Sequence, residues 1–214
     1  MKLYSVPLSP FAARVRLAIY RKGLDIEIVP PPAEGLKSAA YLAINPLGQI
    51  PALALDSGTV LGESAVILEY LEDAFPTPSL RPDSIEDLAR ARLFLRIPDI
   101  QFLNAPRILL GMRRPEDRNH ELIGPAFENL QRGLDNIQHA LDHDAGPWAI
   151  GGRVSIADCG LVPVLNAVSL IAMVYQRPDL FEDRPKLDRY WQTARADPIN
   201  ARVIEEQLAA VPKI

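Results

Sequence analysis

Residues 49–72 read QIPALALDSGTVLGESAVILEYLE. Two β-prone runs, IPALAL (50–55) and TVL (59–61), flank Asp56-Ser57-Gly58, whose turn chemistry predicts a hairpin. The period changes at Glu63-Ser64, and the apolar spacing beyond it predicts a helix from about Ser64 to Ala74. Working back toward the start, KLYSV (2–6) is a short β-prone run. Pro10 to Lys22 then carries Phe11, Val15, Ala18 and Ile19 on one helical stripe, and Gly23 stands where a left-handed cap belongs. DIEIV (25–29) alternates like a half-buried strand and stops at three prolines, 30–32. A short helix is expected around 37–43. The order β-α-β-α-β-β-α, with a crossover before the hairpin, predicts a mixed four-stranded sheet with helices.

Forward of the hairpin, PTPSLRPDS (76–84) has the composition of a linker, and everything beyond it reads helical. Leu88 to Arg113 is apolar along its length, with kinks expected at Pro98 and Pro106. Ala126 to Leu141 is amphipathic. Ser155 to Tyr175 is apolar nearly all round, the pattern of a helix buried at the centre of a bundle. Shorter helices are expected at about 186–196 and 199–210. The fold class is therefore α+β: a sheet-and-helix domain over 1–77 and an all-α bundle over 85–214. Ser155 and Asp158 have capping-box spacing at the start of the central helix, with Val154 and Cys159 placed as a hydrophobic staple across it.

A net charge of −4 argues against a phosphate-backbone partner, so no nucleic acid is expected. Cys159 is the single cysteine, which rules out an internal disulfide and a cysteine metal cage. The first residues, MKLYSVPLSPFAARVR, lack the apolar run of a secretory signal, and no stretch reaches the roughly 20 apolar residues of a membrane span. The expectation is a cytoplasmic protein without a membrane segment.

Three short pieces carry candidate chemistry, and each also has a purely structural reading. Ser9-Pro10 is a favourable helix start. The same hydroxyl, beside the positive end of a helix dipole, would stabilise an anion, and a thiolate there would have a lowered pKa. Pro51 marks a strand start. Were its bond cis, Ile50 would present backbone groups to an extended peptide as one more strand. Ser64 is a plausible cap, while Glu63 and Ser64 together suit the ammonium and carboxylate of an amino acid. His139 and His143, spaced i, i+4, could share a metal, but Asp135, Asp142 and Asp144 make a solvated acidic surface the better reading, and no metal is expected.

SPFAARVRLAI, LKSAAYLAINPLGQIPAL and LGESAVILEYLE, in this order, resemble the thioredoxin-like domain of cytosolic glutathione transferases of the serine type, tau and zeta. The capping box at Ser155 and Asp158 resembles the one that opens the family's central helix, so the resemblance spans the whole chain. It implies that Ser9 stabilises the glutathione thiolate and that Lys37 and Gln49 contact the glycine carboxylate. It also implies that Ile50 pairs with the cysteine backbone ahead of a cis Pro51, and that Glu63 and Ser64 hold the γ-glutamyl end. Glutathione is then the co-substrate. A small apolar electrophile would lie between the loop at Leu8–Phe11 and the second domain, with Leu8, Phe11, Ile108, Leu109 and Met112 as its wall. A two-fold homodimer is implied as well. Arg14 and Arg16 belong to the matched motif and are read as helix-surface or interface charges. Ser5 and Tyr4 are weaker candidates for the thiolate partner, Tyr4 being a strand residue packed in the sheet.

Zeta members usually carry Ser-Ser-Cys where this chain has Ser9-Pro10-Phe11, which weakens the isomerase reading. No cysteine precedes Cys159, so disulfide exchange of the glutaredoxin kind is not expected. The function read from the sequence is a glutathione transferase acting through Ser9. A glutathione-dependent isomerase or ether-cleaving enzyme and a non-catalytic binding protein of the same fold are the alternatives. The intact set of Ser9, Lys37, Glu63 and Ser64 argues against the last.

Overall fold

A computed structural model describes residues 1–102, 104–143 and 146–211. The chain forms two compact units. The first takes residues 1–80 and the C-terminal segment from Pro198, and the second runs from Arg81 to Asp197. The last helix therefore belongs to the sheet-containing unit, whereas its sequence position had grouped it with the bundle of 85–214.

In the first unit β1 (Lys2–Tyr4), α1 (Pro10–Lys22), β2 (Glu27–Val29), α2 (Ala39–Ile44), β3 (Ala52–Ala54), β4 (Val60–Leu61) and α3 (Ser64–Ala74) follow one another, and α10 (Pro198–Ala209) completes it. The sheet order is β2-β1-β3-β4. β1 runs parallel to β2, with Leu3 opposite Ile28, and antiparallel to β3, with Leu3 opposite Leu53. Parallel pairing of β1 and β2 requires the crossover that α1 supplies. Gly23 ends α1 in the left-handed conformation (φ 63°), its N–H turned back to the carbonyls of Ile19 and Tyr20. Leu3, Val15, Leu17, Leu53, Ile67 and Leu71 form the core. α1 is buried against both α3 and α10, so even Arg14, Arg16 and Lys22 are withdrawn from water. Lys22 meets Glu72 at 2.7 Å with both side chains buried, and it also donates to the Pro78 carbonyl at 2.6 Å. This ties the ends of α1 and α3 to the segment that leaves the unit.

The second unit comprises α4 (Ile85–Ile97), a π-helical turn over Pro98–Phe102, α5 (Ala105–Gly111), α6 (His120–Leu141), α7 (Ile156–Tyr175), α8 (Asp179–Glu182) and α9 (Pro185–Ala196). The breaks fall at the two prolines expected to kink the first long segment. α6 starts six residues before the expected Ala126, capped by the Asn119 side chain, and carries Pro125 within it. α7 is apolar enough to pass for a membrane span, but most of it is buried inside the unit as its core helix. Ser155 and Asp158 form the capping box at its start. Gly133 of α6 lies so close to the Phe102 ring that an added Cβ would overlap it.

Candidate active site

Ser9 ends the loop between β1 and α1 and caps the helix. Its backbone is extended, its Oγ accepts from the Ala12 N–H at 3.2 Å, and Pro10 follows at the first helical position. An oxygen that accepts from the helix keeps its own proton for donation, and the helix N-terminus beside it favours negative charge. The Ser9 N–H is itself held by the Val6 carbonyl at 3.1 Å.

Arg14 and Arg16, expected as helix-surface or interface charges, are buried within the first unit at 0 % and 3 % exposure. The packing of α3 and α10 on α1 is the reason, and a stripe count along α1 alone cannot register it. Arg14 donates to Ser64 Oγ at 3.4 Å and lies 4.9 Å from the centre of the Phe11 ring. It thereby links the starts of α1 and α3. Arg16 donates to Ser5 Oγ at 2.7 Å and to the carbonyls of Val6 and Pro7 at 3.2 and 2.8 Å. Ser5 is buried and engaged in this way, and Tyr4 packs edge-on against Tyr41, 5.9 Å between ring centres.

Glu63 and Ser64 sit at the start of α3. Glu63 has φ 62° and ψ 116°, a left-handed backbone uncommon for a residue with a side chain, and its carboxylate is exposed. Such conformations cost about 1–3 kcal/mol and persist where surrounding packing holds them, often at functional sites. Ser64, by contrast, is buried at 5 % exposure.

Segment 45–51 leads into β3, and its Leu47 side chain lies near Gly62, just ahead of α3. The Gln49 carbonyl receives two hydrogen bonds, from the Tyr41 hydroxyl at 2.7 Å and from Asn45 Nδ2 at 2.8 Å. Burial pushes the Tyr41 phenol above its usual pKa, opposed by Asn45, so Tyr41 stays a donor at neutral pH. Gly48 turns at φ 58°, and a side chain there would meet the Leu36 carbonyl at 2.8 Å, so the turn needs glycine. Lys37 folds over this turn and donates to the Leu47 carbonyl at 3.2 Å. Gln49 is exposed, and the Ile50–Pro51 bond is cis. Among the described residues no backbone hydrogen bond engages Ile50. Within the first unit Arg14 joins Phe11 and Ser64, and Lys37 closes over the Gly48 turn that leads to Gln49, Ile50 and Pro51. Reading by motif gave no part in this segment to Tyr41, and assigned no hydrogen-bonding role to Asn45, Arg14 or Arg16, all of which lie in the matched stretches.

In the second unit, Leu109 is fully buried, which removes it from any open wall, while Ile108 and Met112 keep partial exposure. The Tyr175 hydroxyl lies 3.0 and 2.9 Å from the carbonyls of Leu109 and Met112, sharing its one proton between them at the end of α5. His139 and His143 meet edge-on, 5.7 Å between ring centres. Asp144, cited beside them, lies outside the described residues.

The family model described as glutathione S-transferase, N-terminal domain, matches residues 3–79, and that described as glutathione S-transferase, C-terminal domain, matches residues 116–201. The chain belongs to the glutathione S-transferase family. The transferase is 36 % identical over 178 residues to maleylacetoacetate isomerase of Pseudomonas aeruginosa, covering 78 % of this chain and 81 % of that protein. Its fold matches maleylacetoacetate isomerase from Methylobacterium extorquens AM1 with bound malonate and glutathione. That match has a TM-score of 0.82 and 25 % identity, and covers 100 % of each chain. It also matches a bacterial maleyl pyruvate isomerase of the zeta class, with TM-score 0.77, 26 % identity, and 95 % and 96 % of the two chains covered. The transferase is thus an enzyme of the glutathione S-transferase fold with zeta-like relatives.

Proposed function

We propose that Ser9 holds the thiol of bound glutathione as a thiolate, which attacks an electrophilic carbon of a small apolar molecule. The observation that carries this reading is the Ser9 hydroxyl, capping α1 through its oxygen and keeping its proton for an anion at the helix N-terminus. Glutathione lies extended along segment 49–51. Its cysteine main chain pairs with Ile50 ahead of Pro51, its glycine carboxylate faces Lys37 and Gln49, and its γ-glutamyl end meets Glu63 and Ser64. With the thiol already ionised, no separate general base is needed. The enzyme works in the cytoplasm as a two-fold homodimer.

A second reading is favoured by the relatives, which are named as isomerases of maleyl compounds, one of them with bound malonate and glutathione. Here the same thiolate adds to the alkene carbon conjugated to a carbonyl, and the electron pair moves to the carbonyl oxygen as an enolate. Rotation about the new single bond follows. Return of the electron pair then expels the thiolate and leaves the trans alkene, with glutathione regenerated.

The test is the ultraviolet thiolate absorbance of bound glutathione across pH, for the parent and for Ser9→Ala. The parent is expected to titrate well below free glutathione, and Ser9→Ala to return upward with a loss in kcat of about 10²–10³, the worth of one preorganised donor to a developing anion. Titration as in free solution for both proteins would sink the Ser9 reading. A panel of aryl halides and cis-dienoic acids then separates transfer, which consumes glutathione, from isomerisation, which does not.

A further inference from the structure

α10 reaches the loop that carries Ser9 through one buried side chain. Arg16 projects from the second turn of α1 and divides its donors between two directions. Nη1 and Nη2 hold Ser5 Oγ and the carbonyls of Val6 and Pro7, three consecutive residues of the loop. Nε is directed the other way, to Glu206 Oε2 on α10 at 2.9 Å. The Val6 carbonyl that receives Arg16 also receives the Ser9 N–H. Only one shared acceptor therefore separates the guanidinium from the backbone of Ser9.

Glu206 is in turn constrained. Its other oxygen accepts from the Tyr20 hydroxyl at 2.8 Å and lies 3.4 Å from Arg202 Nε, while the Arg202 guanidinium stacks 3.7 Å from the Tyr20 ring centre. A guanidinium is a rigid planar fork, so fixing Nε through a carboxylate fixes the plane in which the two terminal nitrogens act. A charge buried to 3 % exposure also needs this carboxylate, because carbonyls and a hydroxyl alone do not neutralise it.

We infer that Arg16 is a positioning residue for Ser9 and that Glu206 orients it, so that the C-terminal helix sets the pose of the thiol-activating loop. As a statement about the loop this rests only on the geometry above. As a statement about catalysis it rests on the Ser9 reading, and the two are tested separately.

Glu206→Gln in the full chain keeps the shape and the acceptor for Tyr20 but removes the charge facing Arg16. Backbone amide exchange is followed at Ser9, whose N–H reports the loop, and at Leu53 in β3, which reports the sheet. The expected result is exchange at Ser9 faster by about tenfold, the worth of a charge-assisted hydrogen bond, with Leu53 unchanged. The bound thiol should titrate between parent and Ser9→Ala, and Glu206→Asp should recover part of the difference. Unchanged exchange at Ser9, or equal acceleration at Ser9 and Leu53, overturns the inference, the second outcome marking Glu206 as a general stabiliser only. If Glu206→Gln does not fold, Arg16→Lys is read by the same two amides. If the parent thiol is not activated, the Ser9 reading fails while the exchange comparison still decides the role of Arg16 in the loop.

Discussion

Tyr20 lies on the outer turn of α1 with its hydroxyl given to Glu206. Burial first, then this hydrogen bond and the carboxylate's charge, raise its pKa above the usual value for tyrosine. A proton held more tightly in the folded than in the unfolded chain stabilises the fold below the unfolded pKa, and that contribution is lost as pH rises through the folded one. The Tyr20 contribution is therefore intact up to about pH 10 and disappears above it. The urea midpoint of the parent should fall more steeply between about pH 10 and 12 than that of Tyr20→Phe, which has no proton to lose. Equal slopes would show that the hydroxyl contributes nothing to the pairing of α1 with Glu206. Residue-scale reading of the sequence singled out Ser9, Lys37, Glu63 and Ser64 as candidates because caps and charges have local signatures. For Arg14 and Arg16 it left surface or interface open, and their surroundings, which exclude the open surface, come from α3 and α10.

Each helix start carries its own ending or beginning signal, and α7 shows how far such a signal is tied into its unit. The Asp158 carboxylate accepts from the Ser155 N–H and hydroxyl on one oxygen, and from the Ala149 N–H and the Tyr190 hydroxyl on the other. Complete burial pushes its carboxyl pKa up, and the backbone N–H groups of Ala149 and Ser155, followed by the two hydroxyls, hold it back. Ser155-x-x-Asp158 was legible as a capping box. The further bonds from Ala149 and Tyr190, which join the preceding loop and α9 to the start of α7, were not, since they depend on how the bundle closes. Asp158→Asn turns an NH₂ toward groups that are themselves donors, so a loss of about 2–4 kcal/mol in unfolding free energy is expected from denaturant titration. A loss near zero would mean that the box contributes only helix propensity.

At the scale of the whole molecule, each unit leaves large apolar side chains in water. In the first, Leu47 is 54 % and Val66 52 % exposed, and on α4 of the second, Ile85 is 89 % and Leu93 52 % exposed. The proposed two-fold homodimer is expected to cover some of these side chains. Light scattering of the full chain at micromolar concentration should give twice the chain mass. A single-chain mass would remove the homodimer from the proposed function and leave the chemistry at Ser9 intact.

By itself the sequence determined the strand and helix order of the first unit, the bounds of α1 and α3 and the breaks at Pro98 and Pro106, while the short α8 had no signal of its own. All of these depend on contacts within a few residues: caps, turn glycines, prolines and the spacing of apolar side chains. Only the tertiary structure decided that the last helix joins the first unit, that Leu109 is core and that Arg16 is buried between the Ser9 loop and a carboxylate 190 positions away. A charge on a helix reads as solvent-facing until its cover is known. That cover comes from an element whose place is set by packing across the chain, which no local pattern records.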